Sequence, residues 1–96
     1  MLEVPFLDAW RDLELIIFDK ARELNIREKH SIRKIVNSLY DKGVIEPIEK
    51  NLFEKLRILR NEALHARRFD ISFIDAVTYA HTAKKLAESI KIKNNK

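Results

Sequence analysis

The chain has 96 residues, with 19 Lys and Arg against 15 Asp and Glu, 46% hydrophobic and 35% charged residues. That balance fits one globular domain and excludes two domains, a disordered chain, or a membrane-embedded one, since the longest apolar run is only Leu15 to Phe18. Cysteine is absent, so disulfide scaffolds, thiolate nucleophiles and cysteine-ligated zinc are excluded, while one glycine and two prolines are too few for hairpins and sheet corners.

The expected class is therefore all-α. The absence of cysteine points to a reducing cytoplasm, and the start Met1-Leu2-Glu3-Val4-Pro5 carries neither the basic nor the apolar region of an export signal, so nothing suggests export; with no apolar run long enough to span a bilayer, no membrane partner is expected. The formal charge of +4 lies in the last stretch: residues 1–83 hold 14 basic and 14 acidic side chains, while residues 84–96 hold Lys84, Lys85, Lys91, Lys93 and Lys96 against Glu88. The body is still polarised. Residues 1–24 are acidic on balance, and residues 55–68 hold Lys55, Arg57, Arg60, Arg67 and Arg68 against Glu62.

Hydrophobic periodicity predicts four amphipathic helices. The first runs from about Pro5 to Leu24, with Phe6, Trp10, Leu13, Ile17 and Leu24 on one stripe. Leu15, Ile16 and Phe18 widen that stripe, which means several neighbours in the domain or a second chain. Asn25 to Glu28 connect to a second helix, from Lys29 or Ser31 to Asp41, with Ile32, Ile35, Val36 and Leu39 inward and Gly43 as its left-handed stop. Glu46-Pro47 opens a third helix whose buried stripe reads Ile48, Leu52, Leu56, Leu59 and Ala63, ending near Arg67. Ser72-Phe73-Ile74-Asp75 reads as a capping box for a fourth helix through Ala76, Val77, Ala80, Ala83, Ala87 and Ile90, whose small residues suggest close helix approach. Short connections favour antiparallel neighbours, hence an up-down four-helix bundle spanning residues 1–92 as a single domain, with residues 93–96 a frayed basic tail.

The residues best placed to carry chemistry are Arg60-Asn61-Glu62-Ala63-Leu64-His65, late in the basic helix. Asn61 and His65 are four apart and share a face, while Arg60 lies about 140° around the helix from His65, within reach of its long fork. Arg holds phosphate bidentately, and His exchanges a proton near neutral pH. Together they would supply what phosphodiester transfer from an RNA 2′-hydroxyl needs in the absence of a metal: a proton shuttle and a charge clamp on the phosphorane oxygens. A purely structural account is also available: Arg60 paired with Glu14 or Glu62, and His65 a cation at a helix C-terminus.

Arg60, four residues and then His65, with Asn61 directly after the Arg, resembles the R-x(4–6)-H signature of HEPN domains, compact helical bundles of prokaryotic toxin, defence and RNA-processing systems. Leu13-Glu14 in the first helix, the approach Leu56-Arg57-Ile58-Leu59 and the Ile71-Ser72 start of the last helix agree with it. The resemblance implies a homodimer whose two motifs meet across a two-fold axis, with metal-independent endoribonuclease activity in active members. It implies His65 as general acid and base, Arg60 holding the scissile phosphate, and Asn61 orienting the His or the phosphate. It implies equally a catalytically silent dimerisation, protein-interaction or RNA-binding module, since many members are of that kind. An antitoxin-like protein partner belongs to the toxin version.

Lys55, Arg57, Arg67 and Arg68 are the candidate RNA-phosphate contacts, with a solvated helix face as the alternative. Phe53, Phe69, Phe73 and Tyr79 are read as core residues rather than base-stacking platforms. His30 and His81 have no ligand-type partner at helical spacing, so no metal is expected, and one glycine cannot build a nucleotide loop, so no cofactor is expected. Asp8-Asp12 and Glu46-Glu49 are explained by helix first turns. The terminal lysines suit RNA, an anionic membrane or simple solubility.

Overall fold

The computed structural model describes residues 4–65 and 73–93. Four helices account for almost all of them: α1 (Val4–Glu23), α2 (Ile32–Asp41), α3 (Pro47–His65) and α4 (Phe73–Ile92). No strand occurs among the described residues.

The helix ends follow local chemistry. Asn25 closes α1 in the left-handed region (φ 58°), its N–H donating to the Arg22 carbonyl while Ile26 N–H donates to the Ala21 carbonyl. Gly43 (φ 76°) closes α2 in the same way, with Gly43 N–H on the Tyr40 carbonyl and Val44 N–H on the Leu39 carbonyl. Both are Schellman closures, and each supplies the apolar residue after the turn, Ile26 or Val44, that packs back on the core. Ser31 caps α2, its hydroxyl accepting from Lys34 N–H at 3.3 Å. At α3, Glu49 reaches back to Glu46 N–H at 2.8 Å, the reciprocal arm of a capping box, with Pro47 as the first helical residue.

One apolar core joins all four helices. Phe6, Trp10, Leu13 and Ile17 of α1 meet Ile35, Val36 and Leu39 of α2, Phe53 and Leu56 of α3, and Ala80, Ala83, Leu86, Ala87 and Ile90 of α4. The α1–α4 pairing is the most extensive, as the alanines of α4 allow. Trp10 stacks on Phe53 at 5.4 Å between ring centroids, and Phe6 meets the edge of Tyr79 at 6.4 Å.

Several details differ from the sequence expectation. Ile48 is 65% exposed, and Glu49 takes the buried position beside it, so the inward stripe of α3 is Glu49, Phe53 and Leu56. Val77 and Tyr79 are exposed, and Leu15 of the wide α1 stripe is 56% exposed whereas Ile16 and Phe18 are half-buried. The side chains of Ala63 and Phe73, and all of Phe69, lie outside the described residues.

The expected strict alternation of direction does not hold for α1 and α4. Phe6 meets Tyr79 near the start of both helices, and Lys20 reaches the Lys91 and Lys93 carbonyls at the end of α4, so the two helices run the same way. Helix α3 opposes both: its start, at Glu49, bonds Ser89 and Lys93, while Arg60 near its end shares a cleft with Leu7. Tyr40 lies under Lys50, and Arg33 pairs with Glu54, so α2 also opposes α3. The connection that fails to reverse direction is therefore the one between α1 and α2. After the Asn25 turn the chain doubles back along α1, bringing Glu28 beside Phe18 and Ser31 beside Glu14, before α2 sets off in the direction of α1.

The parallel arrangement gathers the C-termini of α1 and α4 and the N-terminus of α3 at one end. Carbonyl ends need donors, and an amide end needs an acceptor. Lys20, only 3% exposed, donates to the Lys93 carbonyl at 2.7 Å and the Lys91 carbonyl at 3.4 Å, and pairs with Glu23 at 3.2 Å. Glu49 accepts from Ser89 Oγ and Lys93 Nζ, both at 2.6 Å, besides Glu46 N–H. Burial pushes the Glu49 carboxyl up, but the donors from Lys93, Ser89 and Glu46 outweigh it and hold the group below the ordinary glutamate range. Lys93, expected in a frayed tail, is thus tied down by both its side chain and its carbonyl.

Candidate functional site

The loop into α2 is ordered by one carboxylate. Glu28 accepts from His30 N–H at 2.8 Å and Ser31 N–H at 3.0 Å, and these backbone donors, His30 first, hold its carboxyl below the usual range. This turn fixes His30 and the first residues of α2 against the middle of α1.

A cleft of about 280 Å³ opens there between three elements. Trp10 and Glu14 of α1 form one wall. His30, Ser31 and Arg33, at the start of α2, form the second, and Arg57, Arg60 and Asn61 of α3 form the third. A smaller neighbouring hollow of about 150 Å³ shares Trp10, Glu14 and Arg60 and adds Leu7 and Arg11.

Two of the three motif residues are therefore together. Arg60 Nη1 donates to Asn61 Oδ1 at 3.1 Å, and both side chains are half-buried. Arg60 makes no ion pair among the described residues, so the alternative pairing with Glu14 or Glu62 is not formed, although Glu14 borders both hollows. His65 is the last residue of α3, and its side chain lies outside the described residues. Arg67 and Arg68 also lie outside them. Arg57 is in the cleft wall, whereas Lys55 is exposed and does not line it.

Charge in the cleft is predominantly positive. Glu54 sits behind it and holds two guanidinium groups, Arg57 at 3.2 Å and Arg33 at 3.5 Å, from different helices. Arg33, Arg57 and Arg60 thus converge with Glu14 as the one carboxylate in the lining. A guanidinium group offers parallel N–H donors that match phosphate oxygens, so this wall can hold a phosphate and stabilise charge building on it. Trp10, Glu14, His30 and Arg33 were not among the sequence candidates. His30 reads as isolated because its neighbours in the cleft come from α1 and α3, and no local signal announces the return of the chain along α1.

Among the described residues no group of three or more His, Asp or Glu is placed to hold a metal ion, and no helix is long and apolar enough to cross a membrane. Comparison with family models, curated proteins and solved structures finds no match to this chain.

Proposed function

We propose that the chain is a HEPN-like helical domain acting as a metal-independent endoribonuclease, of the toxin type, in the cytoplasm. The observation that carries this reading is the convergence of Arg60, Asn61 and Arg57 on one cleft, with the Arg60 guanidinium seated on the Asn61 amide oxygen and free of any ion pair among the described residues. In this mechanism the 2′-hydroxyl of the substrate attacks the adjacent phosphorus and the 5′-oxygen of the next nucleotide leaves, giving a cyclic 2′,3′-phosphate. Arg60 clamps the non-bridging oxygens as negative charge gathers on them, His65 moves the proton, and Asn61 fixes the Arg60 fork. The resemblance carries with it a homodimer in which two such clefts meet, and an antitoxin-like partner.

A catalytically silent HEPN-like module for dimerisation, protein interaction or RNA binding is the second reading. It is favoured by the half-exposed or more exposed apolar side chains Leu15, Ile48 and Ile58, which suit contact with another chain. The two readings separate in one experiment: cellular RNA incubated with the parent chain and with His65→Ala in EDTA. Cleavage by the parent alone, leaving cyclic phosphate ends, is expected. Intact RNA in both, from folded dimeric protein, overturns the nuclease in favour of the module, and cleavage surviving in His65→Ala removes His65 from the mechanism.

A further inference from the structure

We infer that His30 is a second catalytic residue of the cleft: it protonates the departing 5′-oxygen of the RNA strand while His65 takes the proton of the 2′-hydroxyl. The inference rests on the nuclease reading above and gives a role to a residue outside the motif.

The chemistry sets the requirement. Attack by the 2′-oxygen is in line with the bond that breaks, so the entering and leaving oxygens stand on opposite sides of the phosphorus. A group within hydrogen-bond reach of one is poorly placed for the other, and an alkoxide leaves slowly without a proton. A site that works without metal is therefore best served by two proton carriers, on different walls.

The fold brings one candidate from each of two elements. On α3, His65 follows Asn61 by about one turn. On the α2 side, His30 lines the same cleft as Arg57, Arg60 and Asn61. Its backbone is pinned: His30 N–H donates to Glu28 at 2.8 Å and Ser31 N–H to the same carboxylate oxygen at 3.0 Å. Arg33, three residues on, reaches Glu54 of α3 at 3.5 Å, so the segment that carries His30 is held against α3. His30 itself is exposed, and a strand lying in the cleft meets it.

The rest of the lining does not suit the task. Guanidinium groups, those of Arg33, Arg57 and Arg60, do not give up a proton in water near neutral pH. Glu14 is a carboxylate, a class that accepts protons there rather than donating them. Imidazole is the side chain that both holds and releases a proton in that range. In the step, the bond from the 2′-oxygen to phosphorus forms as His65 accepts the hydroxyl proton. The bond from phosphorus to the 5′-oxygen breaks as the His30 imidazolium gives its proton to that oxygen, with Arg60 on the non-bridging oxygens. The products are the cyclic 2′,3′-phosphate and a 5′-hydroxyl, and exchange with water returns both histidines to their starting forms.

The test uses a deoxyoligonucleotide with a single ribonucleotide at the bond that the parent chain cuts in cellular RNA, made with oxygen or with sulfur as the 5′-bridging atom. Sulfur leaves as a thiolate and needs no acid. Single-turnover rates in EDTA at saturating protein, which keep binding apart from chemistry, are compared for the parent, His30→Ala, His30→Gln and His65→Ala, each with parent-like circular dichroism. On the oxygen substrate both His30 variants are expected to be slowed about a hundredfold, since glutamine donates a hydrogen bond but no proton. On the sulfur substrate they are expected to stay within about threefold of the parent, while His65→Ala stays slow on both. A positioning or binding role slows both substrates alike, and that result overturns the inference. Rescue of His65→Ala by sulfur in place of the His30 variants overturns it too. Parent-like cleavage of the oxygen substrate in His30→Ala overturns it while leaving the nuclease reading standing, and points to a second copy of His65 as the acid. A parent chain that leaves cellular RNA intact overturns the nuclease reading and the inference together.

Discussion

Substituting Glu49 by Ala tests the account of how the parallel α1–α4 pair is locked to α3. The residue is 8% exposed, and its carboxylate accepts from Glu46 N–H at 2.8 Å, Ser89 Oγ at 2.6 Å and Lys93 Nζ at 2.6 Å. Removing the capping arm should cost about 1 kcal/mol. Each of the other two bonds should add about 1 kcal/mol, the ordinary hydrogen-bond value rather than the about 1.5 to 3 kcal/mol of bonds to fully desolvated charges, because Lys93 keeps access to water. The expected loss is about 3 kcal/mol, which for a domain of this size lowers Tm by about 12 to 24 °C. Urea and thermal unfolding followed by circular dichroism measure it directly. Glu49→Gln keeps an acceptor and should lose about half as much.

The sign of the pH dependence follows from the depressed carboxyl. Unfolded Glu49 takes up its proton at higher pH than folded Glu49, so its contribution is complete above the ordinary glutamate range and is lost as pH falls through the lower, folded value. Stability should therefore fall less steeply on acidification in Glu49→Gln than in the parent. A loss under about 0.5 kcal/mol in Glu49→Ala, within the range of ordinary surface changes, would refute the clamp.

Lys20→Met keeps length and apolar bulk but leaves the Lys91 and Lys93 carbonyls without their ammonium donor; a loss of about 1 to 2 kcal/mol and faster amide exchange in the last turn of α4 are expected. A variant more stable than the parent would show that burying this charge outweighs its bonds. Gly43→Ala isolates backbone strain, because a Cβ there meets nothing within 4 Å while φ stays at +76°. It should cost about 1 to 2 kcal/mol in chemical denaturation, and a much larger loss would point to a neighbour that the present packing does not show.

Where a helix would stop and start was legible in the residues themselves. Gly43, Ser31 and Pro47 do locally what their chemistry favours, and the stripe Phe6, Trp10, Leu13 and Ile17 is buried as its spacing requires. Lys20 was hidden in plain view: it fills the gap between Ile17 and Leu24 on that same stripe, a buried position on the periodicity, but a charged residue there is naturally assigned to water. Glu49 misled in the same way. An apolar stripe through Ile48 looks better in sequence, yet burial of Glu49 is stabilised by Ser89 and Lys93, 40 and 44 residues away.

The candidate site divides along the same line. Arg60 and Asn61 are adjacent in the chain, so their association could be read from the sequence, and Arg57 lies one turn earlier on the same helix. Arg33 and His30 join them only because the connection after α1 doubles back and sets α2 parallel to α1, and Trp10 joins them because α1 packs against α3. Sequence by itself determined helix content, most of the helix ends and most of the core, since these depend on residues three to five apart. Helix direction and the three-walled cleft were decided by tertiary structure, because one eight-residue connection can either reverse the chain or return it, and only packing against α3 and α4 selects between them.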